Sequence, residues 1–334
     1  MNSLAGARYR PWLHYYGIAL AISTFLLLFA GGMVTSTNSG LSVPDWPTTF
    51  GRNMFLYPPS MMKGGIFYEH GHRLFASLVG LMTVGNCLAL WFAEKRRWLA
   101  WTGTFGLLLV IGQGVLGGLT VKFKLPMPVS AAHACTAELF FALTVLMAFA
   151  TSRAWLSAGG RRAWARREPV LALAFCLAAF AQIAVGAIMR HSYAGLAIPT
   201  FPRAYGEWIP PIWNFPIAIH FLHSRVGASV LVLLGAILIG SVFANRRSPV
   251  LARRLGLLLG LALALQIALG IFTIWSAKAP VPATFHLSGG ALVFATGWLL
   301  FLALCRLPAH GTYGGADATA TARRAIPAEG MAPA

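Results

Sequence analysis

Acidic residues are scarce: eight Asp and Glu in 334 positions, against 26 Lys and Arg. Charge of either sign makes up only 10% of the chain, where a soluble domain carries about 25%, so most of its surface is not built for water. Cysteine is equally thin. Cys87, Cys135, Cys176 and Cys305 each fall within or at the end of an apolar run, and none has a CxxC or Cys/His spacing, which excludes a disulfide framework and a cysteine-based zinc site. The net charge of +18 comes in short clusters between apolar runs rather than on one face, so it does not imply a nucleic-acid partner.

Hydrophobicity is what the chain has in quantity: 57% of its residues and a mean hydropathy of +0.69. A bilayer core about 30 Å thick takes about 20 apolar residues at the helical rise. That window finds eight segments, at 13–35, 68–93, 100–121, 128–151, 169–189, 216–244, 255–276 and 282–305. The first is too long for a cleaved signal sequence and is expected to remain as a helix. The fold class is therefore all-α, an integral membrane protein of eight transmembrane helices. The stretch 307–334, rich in Ala, Gly, Thr and Pro, is expected to be a disordered tail.

Positive residues are retained on the cytoplasmic side of a membrane. One alternate set of connections, with both termini, holds 17 Lys and Arg; the other holds 7. Both termini are thus expected in the cytoplasm. Arg73 and Arg225 belong to neither set and lie near the outer ends of the second and sixth segments, where a cation in or near lipid points to a task or to snorkelling towards the interface.

The chain contains an internal duplication. Gly40-Leu41-Ser42-Val43-Pro44-Asp45-Trp46-Pro47 returns as Gly195-Leu196-Ala197-Ile198-Pro199-Thr200-Phe201-Pro202, and Gln113-Gly114-Val115-Leu116-Gly117 as Gln266-Ile267-Ala268-Leu269-Gly270. Arg73 to Ser77 pairs with Arg225 to Ser229, and Ser130-Ala131-Ala132-His133 with Ala283-Thr284-Phe285-His286. Offsets of 151 to 155 in constant order divide the chain into four-helix halves at 1–155 and 156–306, separated by an even number of spans and so related by an axis along the membrane normal. Two pseudo-symmetric bundles are expected.

Of nine histidines, His14 and His310 are expected at the interface or in solvent, and His191 in the outer loop after the fifth segment. The other six, His70, His72, His133, His220, His223 and His286, all fall in the first turns of helices two, four, six and eight, which begin at the outer face. His72 and His223 occupy equivalent places in the repeat, as do His133 and His286. Imidazole pairs on facing helices are how four-helix bundles hold a porphyrin iron; a zinc ion would find only part of a tetrahedral shell. Two acids lie within apolar segments. Glu69 is three residues before His72 and shares its helix face, as a histidine-orienting partner or as an acid or base acting on a substrate. Its repeat counterpart is His220. Glu138 is expected to make an interhelical hydrogen bond.

The run Tyr68-Glu69-His70-Gly71-His72-Arg73-Leu74, with the Gly40 to Pro47 loop before it, resembles the bacterial and mitochondrial family of haem A synthases, over about residues 13–305. The resemblance implies an enzyme that oxidises the C8 methyl of haem O to a formyl group, making haem A for a terminal oxidase. Substrate haem O would sit between His72 and His133 beside Glu69, and a haem b cofactor that relays electrons between His223 and His286. Arg73 and Arg225 would meet haem propionates. The implied setting is the bacterial inner (plasma) membrane, with the lipid bilayer, a haem O synthase and an electron acceptor as partners and homo-oligomerisation left open.

Two features depart from that pattern. Some family members carry a cysteine pair in an outer loop; here 35–67 and 190–215 contain no cysteine. In addition, His223-Ser224-Arg225 has one residue more than His72-Arg73. A π-bulge absorbs such an insertion; without one, His220 becomes the alternative ligand on helix six. A di-haem cytochrome b that only moves electrons, and a haem carrier, also fit the histidine pattern.

Overall fold

The computed structural model describes residues 8–158 and 167–308. The expected tail, beyond Leu307 and Pro308, lies outside the described residues, as do His310 and the basic residues Arg161, Arg162, Arg166, Arg323 and Arg324. Eight helices of 24 to 30 residues are long and apolar enough to cross a membrane: α1 (Pro11–Ser36), α2 (Gly65–Ala93), α3 (Arg97–Lys122), α4 (Met127–Ala150), α5 (Arg167–His191), α6 (Phe215–Ala244), α7 (Val250–Trp275) and α8 (Pro280–Arg306). The protein is thus an all-helical, multi-pass membrane protein. Proline occupies the first turn of α1, α4, α6 and α8. There its missing N–H is one the helix could not have used and its fixed φ suits helix entry.

Packing runs in two closed circuits. Neighbours α1–α2–α3–α4 return to α1, and α5–α6–α7–α8 return to α5, while α1 packs on α8 and α4 on both α5 and α8. Leu20, Val79, Leu90, Phe140 and Met147 fill the first circuit; Phe175, Leu238, Leu259 and Leu300 fill the second. Lipid is as apolar as these side chains, so helix association rests on close packing and hydrogen bonds rather than on expulsion of water. Gly17 supplies one close approach: a Cβ there would lie 3.2 Å from the Ala148 backbone. The Gly114/Gly118 spacing does not work this way. Gly114 faces open space and Gly118 accommodates the Trp46 indole from an outer loop. Between the circuits, Trp298 Nε1 donates to the Ala142 carbonyl at 3.0 Å, and Arg190 and Thr284 both donate to Ser36 Oγ, at 2.7 and 3.0 Å. His191, expected in a loop, is instead the last residue of α5, because α5 runs two residues beyond the apolar stretch that ends at Met189.

The connections after α1 and α5 share a fold beyond the eight residues that repeat. Each has a cis proline, Trp46–Pro47 and Phe201–Pro202. Each then has an antiparallel bridge, Thr49 to Arg52 and Ala204 to Glu207. The turns between the bridged residues use left-handed pairs, Phe50 with Gly51 and Tyr205 with Gly206. Asp45 accepts from Phe50 N and Gly51 N, both at 2.8 Å, and from Thr48 Oγ1 at 2.5 Å. Slight burial pushes its carboxyl up, but these bonds outweigh it and hold Asp45 below the ordinary aspartate range. Thr200 does the same job in the second loop, accepting from Tyr205 N at 3.1 Å.

Candidate functional site

The N-terminal turns of α2, α4, α6 and α8 carry the four repeated histidines, and each imidazole lies against a glycine of the preceding helix. A Cβ on Gly31 would stand 3.1 Å from His72 Cε1, on Gly117 3.2 Å from His133 Cε1, on Gly186 2.7 Å from His223 Cε1 and on Gly270 2.9 Å from His286 Cε1. Only glycine lets the rings sit this deep between helices. All four keep part of their surface open. His70 and His220, by contrast, are buried, at 0% and 2% exposure.

His223 and His286 face each other with ring centroids 6.1 Å apart and planes at 88°. A metal–imidazole bond of about 2.0–2.1 Å on each side, plus about 1 Å from nitrogen to ring centre, gives a separation of roughly 6 Å. One metal ion fits between them. Among the described residues no cluster of three or more His, Cys, Asp or Glu could hold a metal. Two opposed imidazoles suit a porphyrin iron, whose remaining coordination positions are already filled by the macrocycle. Among the described residues the buried Nδ1 atoms of His72, His133 and His223 have no hydrogen-bond partner, while His286 Nδ1 lies 3.2 Å from the Gln266 backbone carbonyl.

Glutamines fix the backbones that carry three of these rings. Gln113 Nε2 donates to the His133 carbonyl at 2.9 Å, Gln182 to that of His223 at 2.7 Å and Gln266 to that of His286 at 2.8 Å. Each glutamine is four residues before the glycine beneath the ring it serves, so one helix face supplies both contacts. Gly31, Gly117, Gly186, Gly270 and Gln182 are site residues that reasoning from charge and histidine missed. For all but Gly31 the signal was present as Gln-x-x-x-Gly, which occurs a third time at Gln182-Ile183-Ala184-Val185-Gly186.

The acids and arginines of the site are tied to the loops after α1 and α5. Glu69 is 4% exposed. Its Oε2 accepts from Val43 N at 2.7 Å and its Oε1 from Arg73 Nη2 at 2.6 Å. Arg73 also donates to the carbonyls of Asp45 (2.7 Å), Thr48 (3.2 Å) and Val43 (2.8 Å). In the second half Ile198 N donates to His220 Nδ1 at 3.1 Å. Arg225 donates to the Thr200 carbonyl at 2.7 Å and stacks on Phe201, and among the described residues its buried Nε has no partner. Val43 and Ile198 are equivalent in the repeat, so Glu69 and His220 perform the same anchoring with different chemistry. His70 is a loop pin too: its Nδ1 lies 3.1 Å from Thr49 Oγ1 and its ring 5.1 Å from that of Tyr57.

The extra residue of His223-Ser224-Arg225 is taken up in a π-helical segment, Leu222–Gly227. It lets His223 face His286 while Arg225 still reaches the loop. Glu138 behaves differently from expectation: it is 4% exposed and, among the described residues, its Oε2 has no hydrogen-bond partner. The interhelical bond expected of Glu138 is therefore not made at Oε2.

This geometry separates the two histidines of α6. A haem held between His223 and His286 would survive His220→Ala, which is expected to loosen only the loop after α5, and would be lost from His223→Ala. Pyridine haemochrome content per chain reads both, and haem loss from His220→Ala alone would make His220 the ligand.

Residues 14–297 match a family described as Cytochrome oxidase assembly protein. Among curated relatives, the Heme A synthase of Shouchella clausii is 28% identical over 302 residues, covering 86% of this chain and 93% of that protein. The Heme A synthase of Halalkalibacterium halodurans is 29% identical, covering 88% and 97%, and that of Methylobacterium nodulans 29%, covering 74% and 79%.

Proposed function

The chain belongs to the cytochrome oxidase assembly protein family, and from that premise we propose that it is a haem A synthase, a membrane enzyme that oxidises the C8 methyl of haem O to a formyl group. The observation that carries this reading is the opposed pair His223 and His286, 6.1 Å apart, repeated in residue type and glycine backing by His72 and His133. The names of the relatives support it independently. In this reading the halves 1–155 and 156–306 are separate haem-holding units. His72 and His133 hold the substrate haem O, and His223 and His286 a haem b, which when bound supplies one-electron transfer.

The halves differ at the loop anchor, and that difference supports placing the chemistry in the first half. Glu69, held between Val43 N and Arg73, can take a proton as the methyl is oxidised; His220, at the equivalent place, is bonded to Ile198 N and only anchors. Arg225, whose terminal nitrogens serve Ser224 Oγ and the Thr200 and Pro202 carbonyls but whose Nε has no partner among the described residues, and Arg73, whose terminal nitrogens serve three carbonyls and Glu69, are the candidates for haem propionates. The lysine and arginine distribution supports a bacterial inner-membrane protein with both termini cytoplasmic and the haem level near the outer face. Converting the methyl to a formyl group takes one oxygen atom, from water or dioxygen, and removes four electrons, so the reading calls for a haem O synthase to supply the substrate and an electron acceptor to take up electrons.

Haem extracted from cells that make haem O, with and without this chain, tests the reading. A formyl haem is expected only when the chain is present. Its absence, with two haems still bound to the purified protein, would make the molecule an electron-transfer cytochrome instead.

A further inference from the structure

Three of the four histidine arms carry a glutamine clamp, and the fourth does not. At the α1 position equivalent to Gln182 stands Leu27, four residues before Gly31 as Gln182 is four before Gly186. The partner helix has changed with it. The Gln182 and Gln266 carbonyl oxygens lie over Gly227 and Gly289, where no Cβ intervenes. Three residues after His72, where α8 has Gly289 after His286 and α4 has Thr136 after His133, α2 carries Phe75. Leu27 and Phe75 both pack against the core of the first circuit. A polar tie between neighbouring helices has thus been replaced by an apolar contact at one histidine alone. What then holds the outer end of α2 is the loop, through Glu69 to Val43 N and Arg73 to three carbonyls.

A hydrogen bond within the membrane has direction and fixes the height of the helix turn it grips, whereas apolar packing against lipid-like neighbours lets one helix slide on another at little cost. An enzyme that takes in one haem and releases another needs one arm of the substrate site to yield. Its electron-relay site needs both arms fixed. We propose that the missing clamp at Leu27 makes His72 the releasing arm, so that haem leaves the first site fast and the doubly clamped second site slowly. This rests on the two-site reading above.

The test uses the full-length protein in detergent, loaded with haem b and mixed with excess haem-free globin as scavenger, with haem transfer followed in the Soret band. Two release phases are expected, and His72→Ala removes the faster. Gln182→Leu, nearly the same shape without the donor, accelerates the slow phase by about tenfold, the size of one lost hydrogen bond, and leaves the fast phase and the melting temperature in place. Leu27→Gln with Phe75→Thr, which copies the Gln113 and Thr136 arrangement, slows the fast phase by a similar factor. A slow phase indifferent to Gln182→Leu at unchanged haem stoichiometry overturns the clamp, and so does a fast phase that survives His72→Ala. Wild-type protein that binds one haem per chain and releases it in one phase overturns the two-site reading itself.

Discussion

Alanine at Gly186 is expected to empty the second haem site while leaving the helices in place. The added methyl would lie 2.7 Å from His223 Cε1 and 3.1 Å from Nδ1, closer than a Cβ approaches another heavy atom, so something must move. The obstacle is the end of a side chain, and the cheapest response is for the imidazole to swing away with the backbones of α5 and α6 undisturbed. Alanine is the better helix former by about 1 kcal/mol, so the helix itself gains. The ring, however, loses the axis it shares with His286 at 6.1 Å, and a metal–nitrogen bond does not stretch to follow it. Perturbing the support of a metal ligand typically lowers affinity by about 10–100-fold, and here the ligand itself is displaced. Haem per chain falls by about half, with loss of one low-spin signal. The same substitution at Gly270, Gly31 and Gly117, where the distances are 2.9, 3.1 and 3.2 Å, gives progressively smaller losses. Full haem content and an unchanged spectrum in Gly186→Ala would mean that His223 does not grip a metal.

The parts of this site that the sequence made legible are those whose chemistry is costly in lipid. Six histidines at the heads of four apolar helices cannot be mistaken for a surface, and an acid three residues before one of them stands out where only eight exist. Even the π segment Leu222–Gly227 was foreshadowed, because a single extra residue between His223 and Arg225 had to go somewhere. Gly31, Gly186 and Gln182 stayed hidden for the opposite reason. With 35 glycines in the chain, a glycine's role depends on what faces it across a helix contact, and one sequence does not show which helices touch. Glu69 shows the same limit: the helical period put it on the His72 side, but its partners Val43 and Arg73 depend on how the outer loop folds back. The loop fold in turn depends on its cis prolines and left-handed turn residues, which composition alone does not reveal.

Glu69→Gln is expected to abolish formyl-haem production with haem content retained. The carboxylate accepts two hydrogen bonds, from Val43 N at 2.7 Å and from Arg73 Nη2 at 2.6 Å. Glutamine offers one acceptor and one donor, so its amide group meets either N–H donor with another donor, and one of the two bonds is lost. Removing one partner of a buried ion pair costs about 3–5 kcal/mol, but Arg73 keeps the carbonyls of Asp45, Thr48 and Val43, which lessens the damage to the loop. If Glu69 also handles a proton during methyl oxidation, the rate falls by about 10²–10⁴. The duplicated architecture supplies the control that separates these effects. His220 accepts from Ile198 N as Glu69 accepts from Val43 N, so His220→Ala removes the equivalent anchor without removing an acid. Turnover of haem O by the purified variants, normalised to bound haem, therefore decides between anchoring and chemistry. Equal losses would reduce Glu69 to a loop anchor; a loss confined to Glu69→Gln, with His220→Ala within about tenfold of wild type, assigns it the proton.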